Sequence, residues 1–367
     1  MSAGTQFSNF SLFNNPGTEW LSLINEVEVS TAVSAGGNQL TNGITLGKNR
    51  LAANPWLGSI SEFIAWPSNK SASRSALIAN SNTYWDSFGP YANSWNGTQT
   101  SLLDTYTGAA AAYSLRALNS LYTGPLIRIR RSSDNAELDI YALANGDLDT
   151  TRLLAFVGSN SAYVTRWYDQ SGNGRNAVNA TTTQQPPIVS SGTLYTINGK
   201  PAMYGNGSTA YGIKASFTTA NYPFTVIGVC EPASLTNNYL CGIGRSDTDT
   251  TYHTLYFASS TAVLQTRTAA DGGDNASVSA TVLQPYLLFG YAPASNNRNI
   301  AANGGSVGTN TADKAGPNPS DQLWLGRLRN GSIYFNGKYS EMLLWHSDES
   351  AGRTAIEADI NTYWSIY

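Results

Sequence analysis

Apolar and polar residues alternate in short runs along most of this chain. Leu126-Ile127-Arg128-Ile129-Arg130-Arg131 and Tyr163-Val164-Thr165-Arg166-Trp167-Tyr168 have the two-residue period of half-exposed strands. Runs rich in β-branched and aromatic residues follow at Phe224–Cys230, Tyr239–Gly244, Tyr252–Phe257 and Ala262–Thr266. Others lie at Tyr286–Tyr291, Gln322–Gly326 and Gly337–Trp345, with Gly, Asn and Pro between them. Two stretches read differently. Gly108 to Tyr122, with Ala109-Ala110-Ala111-Ala112 at its start, predicts a helix of strong formers stopped by Gly124-Pro125. After Trp345, the spacing of Ala351, Ala355, Ile356 and Ile360 predicts a second helix, capped by Ser347 or Asp348.

The chain also repeats itself. Gly58-Ser59-Ile60-Ser61-Glu62-Phe63-Ile64-Ala65-Trp66 recurs as Gly337-Lys338-Tyr339-Ser340-Glu341-Met342-Leu343-Leu344-Trp345, and Asn82-Thr83-Tyr84-Trp85 as Asn361-Thr362-Tyr363-Trp364. The offset is constant, 337 − 58 = 279 and 364 − 85 = 279. Each copy predicts a strand followed by a helix. A complete antiparallel sandwich of jelly-roll type is therefore expected over 97–367, with short peripheral helices. A linker at 89–96 and a partial copy of the same kind of domain at 1–88 precede it. Half a sandwich leaves one apolar sheet face uncovered, so the partial copy is expected to take its missing layer from another chain or from an atypical arrangement of residues 1–40.

Composition narrows the class. The 367 residues include only 12% charged ones, with 21 basic against 24 acidic side chains and a net charge of −3. That balance excludes a phosphate-neutralising surface, and with it nucleic acid as a partner. No apolar run approaches the roughly 18 residues of a membrane-spanning helix. The start, Met1-Ser2-Ala3-Gly4-Thr5-Gln6-Phe7, carries neither a basic nor an apolar leader region. Nine Trp, 21 Tyr and 11 Phe supply large buried area. Cys230 and Cys241 fall at the ends of an expected hairpin, either bridged across it or buried as thiols. With two histidines, His253 and His346, a His-rich metal site is excluded.

Several motifs carry a resemblance. Tyr113-Ser114-Leu115-Arg116, Tyr122-Thr123-Gly124-Pro125, Arg130-Arg131-Ser132-Ser133-Asp134 and Trp167-Tyr168-Asp169-Gln170-Ser171-Gly172-Asn173-Gly174 resemble the catalytic domain of arabinofuranosidase B. The resemblance implies a concanavalin A-like, or laminin G-like, sandwich. The ending 337–364 resembles laminin G-like repeats of tailed-phage structural proteins. The arabinofuranosidase likeness also implies a nucleophilic glutamate just ahead of the strand at Phe224–Cys230. Thr218-Thr219-Ala220-Asn221-Tyr222-Pro223-Phe224 contains no carboxylate there.

On that ground no catalysis is expected. The reading is a phage virion structural protein, a head or tail appendage or fibre subunit. Its partners would be other virion subunits in a homo-oligomer, a trimer if it is a fibre, and surface polysaccharide. Trp167, Asp169, Asp247 and Asp249 are the candidate ligand-binding residues, Asp169 being read first as forming an Asx turn and second as a sugar contact. Arg128, Arg130 and Arg131 read as a solvated strand face, and Trp167, Trp324 and Trp345 as core. No cofactor is expected, although Asp247-Thr248-Asp249 and Asp271-Gly272-Gly273-Asp274-Asn275 offer oxygens to Ca²⁺. The location would be the virion. Two alternatives stand beside this reading: an extracellular glycoside hydrolase of arabinofuranosidase type, and a secreted bacterial glycan-binding module.

Overall fold

The computed structural model describes residues 10–15, 19–24, 27–32, 101–208, 212–219, 221–247, 250–270, 272–317, 320–328 and 333–367. The chain divides into two compact units, Met1–Ala92 and Asn93–Tyr367. In the first, β1 (Phe10–Asn15), β2 (Glu19–Ile24) and β3 (Val27–Ala32) form an antiparallel meander. The repeat copy at 58–85 and the linker 89–96 lie outside the described residues.

The second unit begins with a one-turn helix α1 (Leu102–Thr105), then β4 (Ala109–Ser114), β5 (Ile127–Arg131) and β6 (Glu137–Ile140). Helix α2 (Thr150–Val157) leads to β7 (Ala162–Trp167), β8 (Ala177–Val178), β9 (Pro187–Ser190) and β10 (Thr193–Leu194). The small pair β11 (Thr196–Ile197) and β12 (Lys200–Pro201) precedes β13 (Met203–Asn206), β14 (Ile213–Thr219) and β15 (Phe224–Pro232). Next come β16 (Asn238–Gly244), β17 (Tyr252–Ala258), β18 (Thr261–Thr268) and β19 (Gly272–Ser279). The last strands are β20 (Tyr286–Ala294), β21 (Asn297–Ala302), β22 (Gly308–Asn310), β23 (Ser320–Leu325) and β24 (Asn336–Trp345), closed by helix α3 (Arg353–Trp364).

These strands make the expected all-β sandwich. Among the described residues one sheet runs β10-β9-β7-β8-β14-β23-β16-β17-β18-β19, with β5 and β6 branching from β7. The facing sheet runs β13-β24-β15-β20-β21-β22, with β4 on β24. Inside them the rings of Trp167 and Tyr339 lie 6.1 Å apart, with Tyr113 against Trp167 and Phe335 against Tyr339. Truncating a fully buried Trp such as Trp167 typically costs about 3–5 kcal/mol.

Three local expectations change. Residues 109–114 are strand β4, paired with β24 from Glu341↔Ser114 to Trp345↔Ala109, and every one of them is buried. Small side chains suit a strand covered on both faces, so packing overrides the helix propensity of alanine. The expected hairpin of Phe224–Cys230 with Tyr239–Gly244 does not form. β15 pairs β20 and β24, whereas β16 pairs β17 and β23 in the other sheet. Cys230 and Cys241 are consequently free, buried thiols. Trp324 is buried as expected, level with Lys214 and Gly242 on the face opposite Leu323 and Leu325. Arg130 is buried, donating to Gln185, Asn135 and the Thr182 carbonyl, while Arg128 chelates Asp139.

Helix α3 follows a short turn at Ser350–Gly352, later than the predicted cap. Asp348 instead accepts the Ser350 N–H ahead of the helix. Of the residues whose spacing predicted it, Ile356 and Ile360 are buried, together with Trp364, whereas Ala351 lies in the turn ahead of the helix and both it and Ala355 are exposed.

Candidate functional site

Antiparallel pairing brings many strand ends to one end of the sandwich. β14, β16, β18, β20 and β22 finish there, and β15, β17, β19, β21 and β23 start there. The rim formed by these strand ends and their connections carries Asp247 and Asp313 in connections, Asp274 near the start of β19 and Asp321 near the start of β23. Chain order scatters these acids over four segments, which is why no motif announces them.

The floor of the rim joins both sheets. His253, at the start of β17, sits between Thr266 of β18 and Asn221 of the segment entering β15. Its Nδ1 is 2.9 Å from Thr266 Oγ1 and its Nε2 3.0 Å from Asn221 Oδ1. The rings of Phe224 and Tyr222 pack on it at 4.5 and 5.1 Å. Burial first, then the positive charge of Arg298, pulls the imidazole down to about pKa 3. The ring is therefore neutral over the ordinary pH range.

Above this floor runs a segment without regular structure, residues 311–317, which acts as a strap. Arg298, fully buried, donates to the carbonyl of Ala312 at 2.5 Å and to Asn310 Oδ1 at 2.9 Å. The Tyr222 hydroxyl donates to the Lys314 carbonyl at 2.8 Å, and Asn221 Nδ2 donates to the Ala315 carbonyl. Lys314, 5% exposed, reaches back to Asp274 at 3.1 Å, and Arg298 Nη2 stands 3.9 Å from the same carboxylate. Gly316 has φ +70°, and a Cβ there would stand 2.6 Å from Asn221 Oδ1 and 2.7 Å from His253 Cε1. Only glycine fits both the backbone and the close approach. Asp313, between the pinned carbonyls, is exposed and acts electrostatically on Tyr222.

The residues singled out from sequence scatter. Trp167 is fully buried in the core. Asp169, 3% exposed, spends its carboxylate on the backbone N–H groups of Ala112, Ser171 and Arg175 and on the Ser171 hydroxyl, so it orders the turn rather than facing a ligand. Asp247 stands on the rim, paired with Arg245. Asp249 and Asp271 lie outside the described residues. Among the described residues no three His, Cys, Asp or Glu side chains converge on a metal position. The sequence reading missed His253, Arg298, Lys314 and Asp313. The one usable signal was the polar Asn221-Tyr222 pair at the mouth of a mostly apolar strand.

Residues 103–232 match the family described as alpha-L-arabinofuranosidase B, catalytic. An alpha-L-arabinofuranosidase of Hypocrea jecorina is 37% identical over 118 residues, which is 30% of this chain and 22% of that protein. The alpha-L-arabinofuranosidase B of Emericella nidulans is 36% identical over 115 residues, 29% of this chain and 21% of that one. The chain thus matches only about a fifth of the length of these curated relatives. Among solved structures, a GH54 α-L-arabinofuranosidase soaked with a cyclic sulfate inhibitor superposes with a TM-score of 0.54 at 18% identity, covering 71% of this chain and 64% of that one. An arabinofuranosidase complexed with arabinofuranosyl-α-1,2-xylobiose gives 0.53 at 19%, with the same coverage.

These likenesses support the sandwich fold and the arabinofuranosidase resemblance. They overturn the virion reading, with its tail-fibre role, its virion location and its expected lack of catalysis. The matching relatives are named as fungal arabinofuranosidases, and the matching folds are arabinofuranosidases too. The inference against catalysis rested on one stretch, 218–224, having no carboxylate. In the fold Asp313 acts electrostatically on Tyr222 of that stretch, and Asp321 follows Ser320, the pairing partner of Thr219. The matched segment, 103–232, supplies the frame as far as β15, and Asp247, Asp274, Asp313 and Asp321 all lie beyond it.

Proposed function

We propose that the second unit is an extracellular glycoside hydrolase of arabinofuranosidase type, working at the acid-lined rim. The observation that carries this reading is the family match over 103–232, whose final strand opens onto the rim beside Asp274 and Asp313. Glycoside hydrolysis needs two carboxyl groups across the scissile bond. One protonates the leaving oxygen, and the other meets the anomeric carbon directly or through water. Asp274, held in place by Lys314, takes the second role, and Asp313 on the strap takes the first. The polysaccharide expected as a partner from sequence becomes the substrate. Release of 4-nitrophenol from 4-nitrophenyl α-L-arabinofuranoside tests the reading. Turnover that falls at least about 100-fold in Asp274→Asn supports it. No release above the blank by the unaltered chain would sink it.

A further inference from the structure

The strap 311–317 has no ladder of its own, yet three of its carbonyls are captured by side chains from two separate segments. Arg298 of β21 takes that of Ala312, Tyr222 takes that of Lys314, and Asn221 takes that of Ala315. Its backbone is tied again by the Lys314 N–H to the Ser295 carbonyl at 3.0 Å and by the Ala312 N–H to Asn310 Oδ1 at 2.9 Å. Beneath it, the imidazole of His253 is the piece that both Asn221 and Gly316 rest upon. A surface connection needs no such fixation, because loops tolerate motion at little cost. A side chain that must meet a reacting atom does need it, since misplacement by about 1 Å can cost 100-fold in rate.

We propose that His253 is a positioning residue: through Asn221 and Gly316 it sets where the strap displays the carboxyl group of Asp313, the proton donor to the glycosidic oxygen. In the step it serves, the C–O glycosidic bond breaks and its electron pair goes to the leaving oxygen. Asp313 gives that oxygen its proton and becomes a carboxylate, while a water bonds to the anomeric carbon and gives its own proton to Asp274. The proposal rests on the arabinofuranosidase reading and is tested apart from it by varying the leaving group. A 2,4-dinitrophenolate departs without a proton, whereas a benzyl or methyl alcohol requires one.

The experiment compares kcat and KM on 2,4-dinitrophenyl and benzyl α-L-arabinofuranosides for the unaltered chain, Asp313→Asn, His253→Ala and His253→Gln. Asp313→Asn is expected to lose about 100-fold or more in kcat on the benzyl substrate and little on the dinitrophenyl one. His253→Ala is expected to show the same split, about 10-fold or more, with KM little changed. The Gln amide, which both donates and accepts, is expected to restore part of it. Equal losses on both substrates, no loss, or a Gln variant no better than Ala would overturn the positioning role. Should His253→Ala not fold, Gly316→Ala disturbs the same contact from the strap side, and the same split is required of it. An unaltered chain inactive even on the dinitrophenyl substrate refutes the functional reading itself, and the proposal with it.

Discussion

Arg116 and Glu341, 225 residues apart in sequence, form a buried two-pronged ion pair, Nε to Oε2 at 2.9 Å and Nη2 to Oε1 at 3.3 Å. The Ser114 hydroxyl and the Trp364 indole N–H also donate to Oε2, at 2.7 and 3.1 Å, and Arg116 Nη2 reaches Asp359 at 2.8 Å. The pair fastens the exit of β4 to the middle of β24 and to helix α3. Removing one partner strands the other charge away from water. Glu341→Ala is therefore expected to lower unfolding free energy by about 3–5 kcal/mol. Urea titration followed by tryptophan fluorescence checks this, and a loss under about 1 kcal/mol would contradict it.

The turn at Asp169 makes a second stability prediction. Asp169→Ala leaves the backbone N–H groups of Ala112, Ser171 and Arg175 without their acceptor. Donors buried without a partner cost about 1–3 kcal/mol each before relaxation. A melting point lowered by several degrees is expected, with KM for an arabinofuranoside unchanged in whatever fraction stays folded. A raised KM with intact stability would instead return Asp169 to the ligand.

His253 links stability to pH. Its folded pKa of about 3 lies below the ordinary histidine value near 6.5, so between those limits the unfolded chain binds the proton and the folded one does not. The stabilisation is complete above pH 6.5 and is lost as pH falls toward 3, at up to about 1.4 kcal/mol per pH unit. His253→Gln should flatten the stability profile between pH 4 and 6 by that slope. Parallel profiles for the two proteins, from urea melts at pH 4, 5 and 6, would refute the assignment.

The two thiols are predicted to be inert in the folded state. Burial pushes Cys241 up to about pKa 12 and Cys230 well above its usual value, so little thiolate exists at pH 8. Ellman's reagent should find no reactive thiol until denaturant is added, and two thereafter. Prompt reaction in buffer would place at least one sulfur at the surface.

Much of the frame was legible in the residues. The alternating runs became β5 and β7, and the apolar runs became β15, β17, β18, β20, β23 and β24, because period and branching are local properties. Which sheet a strand joins is not local. β15 and β16 are both continuously buried, so no pattern told that the segment from Ala233 to Asn237 crosses between layers instead of turning back. The alanine run at 109–112 failed for a related reason, since nothing near it reveals that β24 will lie alongside. At the rim, Asp247 stood among the ligand-binding candidates, whereas Asp274 stood only as a calcium candidate. The partners that give Asp274 its setting, Lys314 and Arg298, are 40 and 24 residues downstream (314 − 274 and 298 − 274) and reach it only after the sheets close.

Strand β24 lies inside its sheet, with β15 along one edge and β13 and β4 sharing the other. During synthesis its neighbours leave the ribosome first and wait beside an empty lane. The sandwich therefore cannot close until residues 336–345 have emerged. A nascent chain halted before them would expose two unpaired flanks to chaperones or to one another.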